Sequence, residues 1–188
     1  MTDVVVFLLV FQRIIELMIA KRNEKWIKKR GAIEYGQSHY PFIVCLHILF
    51  LLSLFIEGTI VQPEWNVFSY VIVFIIGLLQ WARYHVIRSL GPYWNTKIFI
   101  LPKEEVCQKG LYQWMKHPNY VIVTLEFIFI PLLLQAYVTL VVFSILNAWI
   151  LSIRIREENK ALALVPAYQK AFSIYGSFFR KGKNDPLE

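Results

Sequence analysis

Apolar residues gather along this chain in long runs at roughly 4–20, 40–56, 67–87, 120–134 and 137–153, with polar and charged residues crowded between them. A helix crossing the hydrocarbon core needs about 20 apolar residues, within a range of about 17–25. The third run meets that length comfortably, and the first is marginal because it carries Arg13 and Glu16. Only Gln135-Ala136 separates the fourth run from the fifth, which predicts a tight helical hairpin. The expected fold is all-α: a polytopic integral membrane protein of about five transmembrane helices, the last two forming that hairpin. The polar stretches are too short to fold as a soluble domain of their own. A single membrane-embedded domain over residues 1–188 is expected, with three spans in 1–89 and a loop, the hairpin and a tail in 90–188.

Charge orients this arrangement. Residues 1–3, 57–66 and the Gln135-Ala136 turn hold no Lys or Arg. The loop 21–39 holds Lys21, Arg22, Lys25, Lys28, Lys29 and Arg30, and the stretch 83–116 holds Arg83, Arg88, Lys97, Lys103, Lys109 and Lys116. The tail adds Arg154, Arg156, Lys160, Lys170, Arg180, Lys181 and Lys183. Every basic residue except Arg13 thus falls on one side of a five-span arrangement. The positive-inside rule makes that side the cytoplasm, with the N-terminus outside and the C-terminus inside a multi-pass cell-membrane protein.

Composition agrees. The chain is 57% hydrophobic with a mean hydropathy of +0.48, above the usual range of soluble domains. The formal charge of +7 needs no nucleic-acid partner, because the loop asymmetry accounts for it. Cys45 lies in an apolar run and Cys107 in a basic loop, so reduced thiols are expected rather than a disulfide framework. The N-terminal apolar run lacks a basic leader and a small-residue cleavage site, so no cleavable signal peptide is expected.

Some polar residues fall inside the apolar runs. Arg13 and Glu16 are three apart on one helix and close enough to pair. Each would cost about 2.5–3.5 kcal/mol if inserted alone. His47, Glu126 and Asn147 are further candidates for the same polar cluster, and glue between helices is the preferred role over a pocket for a lipid-like head. Asn23, Gly31, Glu34, His39 and Tyr40 lie between the first two spans, where an interfacial lipid-headgroup anchor is the preferred reading.

The hairpin carries the chemistry. A fifth helix running from residue 137 to 164, with Pro166 as its stop, would measure about 42 Å at ~1.5 Å per residue, so about 12 Å would project beyond a ~30 Å hydrocarbon core. That projection holds Arg154, Glu157 and Glu158. Arg154 and Glu158 are four apart and share a face, whereas Glu157 is rotated away. On the other arm, Pro118 suits the first turn of a helix, which puts His117 at its cap and Tyr120 close inside. Free backbone N–H groups at that helix start suit a carboxylate or phosphate.

The segment Gly110-Leu111-Tyr112-Gln113-Trp114-Met115-Lys116-His117-Pro118-Asn119-Tyr120, an apolar hairpin, and then Arg154-Ile155-Arg156-Glu157-Glu158 with Leu162 together resemble the isoprenylcysteine carboxyl methyltransferase family. The likeness runs from about residue 90 to 162. Arg13, Glu16, Asn23, Gly31, Glu34, His39 and His47 are similar to the bacterial branch of that family. The resemblance implies an integral membrane enzyme using S-adenosylmethionine, with the cofactor site on the cytoplasmic side of the hairpin. It implies that His117, Pro118, Asn119 and Tyr120 contact the methionine and adenosine parts, with Tyr112 close by. The stretch containing Glu105, Val106 and Cys107 would line the adenosine with backbone groups. Glu158 would hold the cofactor from the second arm, and Arg154 would face the acceptor, the two sharing the catalytic work. Lys116 departs from the family's usual arginine, keeping charge but losing the bidentate fork. The pair Glu104-Glu105 departs too, standing where more neutral residues are common.

The remaining residues fit such chemistry. No Gly-rich turn between a strand and a helix marks a Rossmann methyltransferase, and no clustered metal ligands or nucleophilic constellation stand out. Methyl transfer to an acceptor that is already acidic needs positioning and exclusion of water more than a strong base. Arg154 would orient the acceptor anion, and aromatic faces would favour the sulfonium. The expected partners are membrane lipids and a lipid-like acceptor from the bilayer: an isoprenylcysteine-type carboxylate or, as the bacterial branch implies, the acidic enol of an alkylpyrone. No metal and no nucleic acid are expected. The alternatives are a phospholipid N-methyltransferase, an NADPH-dependent membrane reductase, and a non-catalytic membrane protein or transporter.

Overall fold

A computed structural model of the chain describes residues 2–101 and 109–165. Helices α1 (Thr2–Lys28), α2 (Tyr40–Val61), α3 (Val67–Leu90), α4 (Pro118–Leu133) and α5 (Tyr137–Leu162) dominate it. Two short strands, β1 (Ile33–Tyr35) and β2 (Ile98–Ile100), pair antiparallel with Glu34 opposite Phe99. The described residues are mostly helical, as expected, and this ribbon is an addition that the all-α expectation did not contain. Three-residue strands carry too little alternation to register as a period, and only the pairing of two distant segments defines them.

Local chemistry sets the helix ends. Pro41 stands in the first turn of α2, and Gln62 closes that helix in a left-handed conformation at φ 50°. Asn66 starts α3 through a capping box with Ser69. Between α4 and α5 the chain reverses through Gln135 at φ 53°, with the Ala136 amide donating to the Pro131 carbonyl at 2.9 Å. The start of α5 is capped from outside its own sequence. The Glu57 carboxylate of α2 accepts from the backbone amides of Val138 at 2.9 Å and Thr139 at 2.7 Å.

Helix α4 is the axis of the molecule, packed against α3 on one side and α5 on the other. One apolar core joins α2, α4 and α5, where the Phe50 ring stacks on Phe127 at 4.1 Å between centroids. A second joins α1, α3 and α4 around Ala20, Leu79, Val86, Trp94 and Ile122. Outward faces remain apolar: Phe7, Phe11, Ile60, Phe68, Phe74, Val138 and Ile145 are all exposed. In a membrane these faces meet lipid rather than water. Helices over 37–61, 67–93 and 137–162 are long and apolar enough to cross a bilayer, whereas α4 has 16 residues and α1 is interrupted by charge.

That interruption is shared among three helices. Arg13 Nη1 lies 2.7 Å from Glu16 Oε2, and Arg13 Nη2 lies 2.9 Å from Glu126 Oε2 on α4. Arg83 of α3 meets Glu16 at 3.0 Å and also pairs with Glu126, while Gln80 donates to the other Glu126 oxygen at 2.9 Å. The expected glue therefore exists, with one correction. Arg83, counted with the basic cytoplasmic stretch, sits inside α3 at 3% exposure. Carboxylates on neighbouring helices compensate it, so α3 continues through the charge to Leu90. His47 donates instead to the Ile43 carbonyl of its own helix, and both side-chain polar atoms of Asn147 are buried without a partner.

The first polar loop is also built inward. Helix α1 runs on to Lys28, so Lys21, Arg22 and Lys25 extend it rather than forming a loop. Asn23 is buried and donates to the carbonyls of Gly91 and Trp94, at 3.2 and 2.8 Å. Glu34 pairs with Lys28 and Lys97 across the ribbon. Asn23 and Glu34 thus join α1 and β1 to the segment between α3 and α4, while His39 is buried without a hydrogen-bond partner. Pro166 lies outside the described residues.

Candidate active site

Helix α4 begins where the sequence expects. Pro118 occupies its first turn and His117 is its N-cap, without a side-chain bond to the helix amides. Pro118 has no N–H and the Tyr120 amide donates to the His117 carbonyl at 3.1 Å, so the start of α4 offers the positive end of the helix dipole rather than a set of free amides. Across the hairpin, α5 brings Arg154 and Glu158 to the level of Tyr120.

Tyr120 is the keystone of the contact. Its hydroxyl accepts from Arg154 Nε at 2.8 Å and donates to the Glu158 carboxylate. The Arg154 guanidinium also stands 5.6 Å from the centre of the Tyr120 ring. A second arm of Arg154, Nη2, donates to the Thr96 carbonyl at 2.7 Å. A cation, a phenol and a carboxylate are thus strung in order across the two helices. Each arm fixes the next, since Arg154 is buried and can turn only by breaking both bonds.

His117 closes the other side of Glu158. Its Nδ1 is 3.6 Å from Glu158 Oε2, its Nε2 is 3.3 Å from Asn159 Oδ1, and its ring stacks on Tyr120 at 5.2 Å. Burial lowers its pKa and outweighs the pull of Glu158, which keeps the ring neutral near pH 7. Lys116 is buried as well, and burial pushes its ammonium down to about 8 against the pull of Glu158. Asn119 leaves Oδ1 buried without a hydrogen-bond partner. Tyr112 packs in the apolar cluster of Trp94 and Ile122, beneath the start of α4. Glu157 points elsewhere and pairs with Lys160 at 2.7 Å.

The structure therefore brings together Arg154, Glu158, His117, Pro118, Asn119 and Tyr120, with Tyr112 nearby. Glu105, Val106 and Cys107 lie outside the described residues. No group of three or more His, Cys, Asp or Glu side chains that could hold a metal ion occurs among the described residues.

Sequence reasoning missed the floor supplied from the N-terminal half. Thr96 takes part through its backbone carbonyl, which no side-chain motif reports. Its hydroxyl meets the Tyr40 hydroxyl at 3.2 Å. His39, beside Tyr40, is 6% exposed and leaves both ring nitrogens without a hydrogen-bond partner. The signal was present as a His-Tyr-Pro step before an apolar run, but its neighbours come from β2 and α5, far away in sequence.

The model of the isoprenylcysteine carboxyl methyltransferase (ICMT) family matches residues 70–164, which include both polar clusters and the hairpin between them. The chain is 51% identical over 155 residues to the uncharacterized protein YpbQ of Bacillus subtilis (strain 168), a match covering 82% of this chain and 92% of that one. It is 30% identical over 156 residues to an uncharacterized protein of Haemophilus influenzae, covering 80% of this chain and 88% of that one. No solved structure matches.

Proposed function

Since the chain belongs to the isoprenylcysteine carboxyl methyltransferase family, and so to the membrane methyltransferases, we propose that it O-methylates an acidic, hydrophobic acceptor with S-adenosylmethionine as donor. The observation that carries this reading is the chain Arg154–Tyr120–Glu158 at the mouth of the hairpin. It sets a fixed cation and a partly exposed carboxylate on either side of one buried phenol.

The donor supplies an activated methyl group on a sulfonium. The residues present suit it. Glu158 matches a positive centre, the start of α4 matches a carboxylate, and the unpartnered Asn119 Oδ1 can accept from an amino group. Neutral His117 and Tyr120 add stacked faces beside Glu158. Arg154 orients the acceptor anion, and the packing of α3, α4 and α5 around the site keeps water from competing with it. A cationic side chain locked at that position disfavours an amine acceptor, which argues against phospholipid N-methylation.

The acceptor is a lipid-tailed acid entering from the bilayer, either an isoprenylcysteine-type carboxylate or the enol of an alkylpyrone. In the membrane the five helices all cross, with the N-terminus outside. The basic residues on one side support this orientation even after Arg83 is assigned to α3. Calorimetry on detergent-purified protein tests the cofactor. Binding of S-adenosylmethionine and none of NADPH is expected, and a folded sample that binds neither would overturn the reading. Membranes incubated with labelled donor test the acceptor: label should extract with lipids, and label confined to protein would refute the small-molecule class.

A further inference from the structure

His39 is a buried imidazole with nothing attached to it. Both ring nitrogens are shielded from solvent, and neither finds a hydrogen-bond partner. Leaving one buried polar group unpaired costs about 1–3 kcal/mol, so such a group in a packed structure calls for an explanation. The surroundings are built to hold the ring. Gly36, at φ +62°, has no side chain, and a Cβ there would stand 2.4 Å from His39 Cε1. The ring therefore fills the place that a side chain at 36 would take.

Its position ties it to the methyl-transfer site. The turn Gln37–His39 packs against α5, and the charges of Arg154, Glu157 and Glu158 on that helix act on the ring beside the larger effect of burial. Its neighbour Tyr40 reaches Thr96 through the two hydroxyls, and the Thr96 carbonyl holds Arg154. The other candidate bases are committed. Glu158 is bonded to Tyr120, and His117 lies between Glu158 and Asn159.

An acid that enters from hydrocarbon brings its proton with it, because the bare anion is far too costly to bury. Resting on the methyltransferase reading above, we propose that His39 is the base of this site: it takes the proton from the acidic O–H of a hydrophobic acceptor that arrives un-ionised from the bilayer. The acceptor's O–H bond breaks, its electron pair stays on oxygen, and the proton goes to the lone pair of a His39 ring nitrogen. Arg154 faces the resulting oxyanion. That oxygen forms the new O–C bond to the donor's methyl group, while the methyl–sulfur pair returns to sulfur. The imidazolium then releases its proton to water, so one proton appears per methyl transferred.

The test uses the full chain in detergent micelles and two probes: a 4-hydroxy-2-pyrone with a long alkyl tail, and its more acidic ring-chlorinated analogue. Pyrones absorb differently in their ionised and un-ionised forms. At a pH where the micelle-dissolved pyrone is un-ionised, binding to the wild type should shift its spectrum to the ionised form, and binding to His39→Gln or His39→Asn should not. Turnover of the parent pyrone should fall by about 100-fold in His39→Gln and that of the chlorinated one by less than about tenfold, as expected for loss of a general base. Calorimetric affinity for S-adenosylmethionine should stay within about twofold, showing that the fold is intact. Equal losses on the two pyrones, or an ionised spectrum in both variants, would overturn the role of His39. A wild type that ionises the pyrone yet neither binds nor uses the donor would support His39 and refute methyl transfer. A wild type that binds neither pyrone would refute the acceptor class and His39 together.

Discussion

Glu157 and Glu158 are the same side chain on consecutive residues, and the helical turn gives them opposite fates. Glu158 receives Tyr120 and borders His117, while Glu157 pairs outward with Lys160. Glu158→Ala should weaken S-adenosylmethionine binding by about 10- to 100-fold, the scale of one charge-assisted hydrogen bond, and Glu157→Ala should barely alter it. Calorimetry on the two variants decides this, and equal losses would refute the assignment by face. Lys116 gives a pH test. Its ammonium loses the proton near pH 8, so an anionic group held beside it has a charged partner below that pH and a neutral one above. Donor affinity should therefore fall as pH rises through about 8, and Lys116→Arg should remove the fall, since arginine stays charged. At this scale the sequence was most legible for contacts between side chains. That His117, Tyr120, Arg154 and Glu158 come together could be read from the hairpin and the helical spacing, whereas Thr96 contributes a carbonyl and gives no sign of it.

Among the elements, α5 shows how a helix can depend on a residue far from it. Its first amides are held by Glu57 from the end of α2, and the Thr139 hydroxyl donates to the same carboxylate at 2.6 Å. Glu57→Ala should lower stability by about 1 kcal/mol, as loss of an N-cap does, measured by thermal unfolding in detergent. An unchanged midpoint would mean that water replaces the carboxylate at no cost. The apolar runs announced each of the helices, because length and hydropathy are local properties. Their ends were less visible. Helix α1 continues past its apolar run as an exposed basic extension, and α3 passes through Arg83 because Glu16 and Glu126 on neighbouring helices balance that charge.

The molecule as a whole is pinned at two heights. Near the polar end, the β1–β2 ribbon joins the N-terminal half to the hairpin. Deeper, Arg13, Glu16, Arg83 and Glu126 balance their charges across α1, α3 and α4. Removing one member leaves a buried charge without its partner. Glu126→Gln should destabilise by about 3–5 kcal/mol, and Arg83→Met combined with Glu126→Gln by much less, because Arg13 and Glu16 remain as a neutral pair. Chemical unfolding of the two variants separates these outcomes, and additive losses would refute the charge balance.

The two arms of the hairpin leave the same turn but differ in length, 16 residues in α4 against 26 in α5. At ~1.5 Å per residue, α4 spans about 24 Å and falls short of a ~30 Å hydrocarbon core. On the five-span topology proposed above this is hydrophobic mismatch, and the start of α4 would lie below the water line of an average bilayer. The lipid must dimple there if a water-borne donor is to reach Tyr120. Reconstituted into vesicles of increasing acyl-chain length, the protein should lose activity steadily as the dimple becomes harder to sustain, which makes membrane thickness a control on the rate.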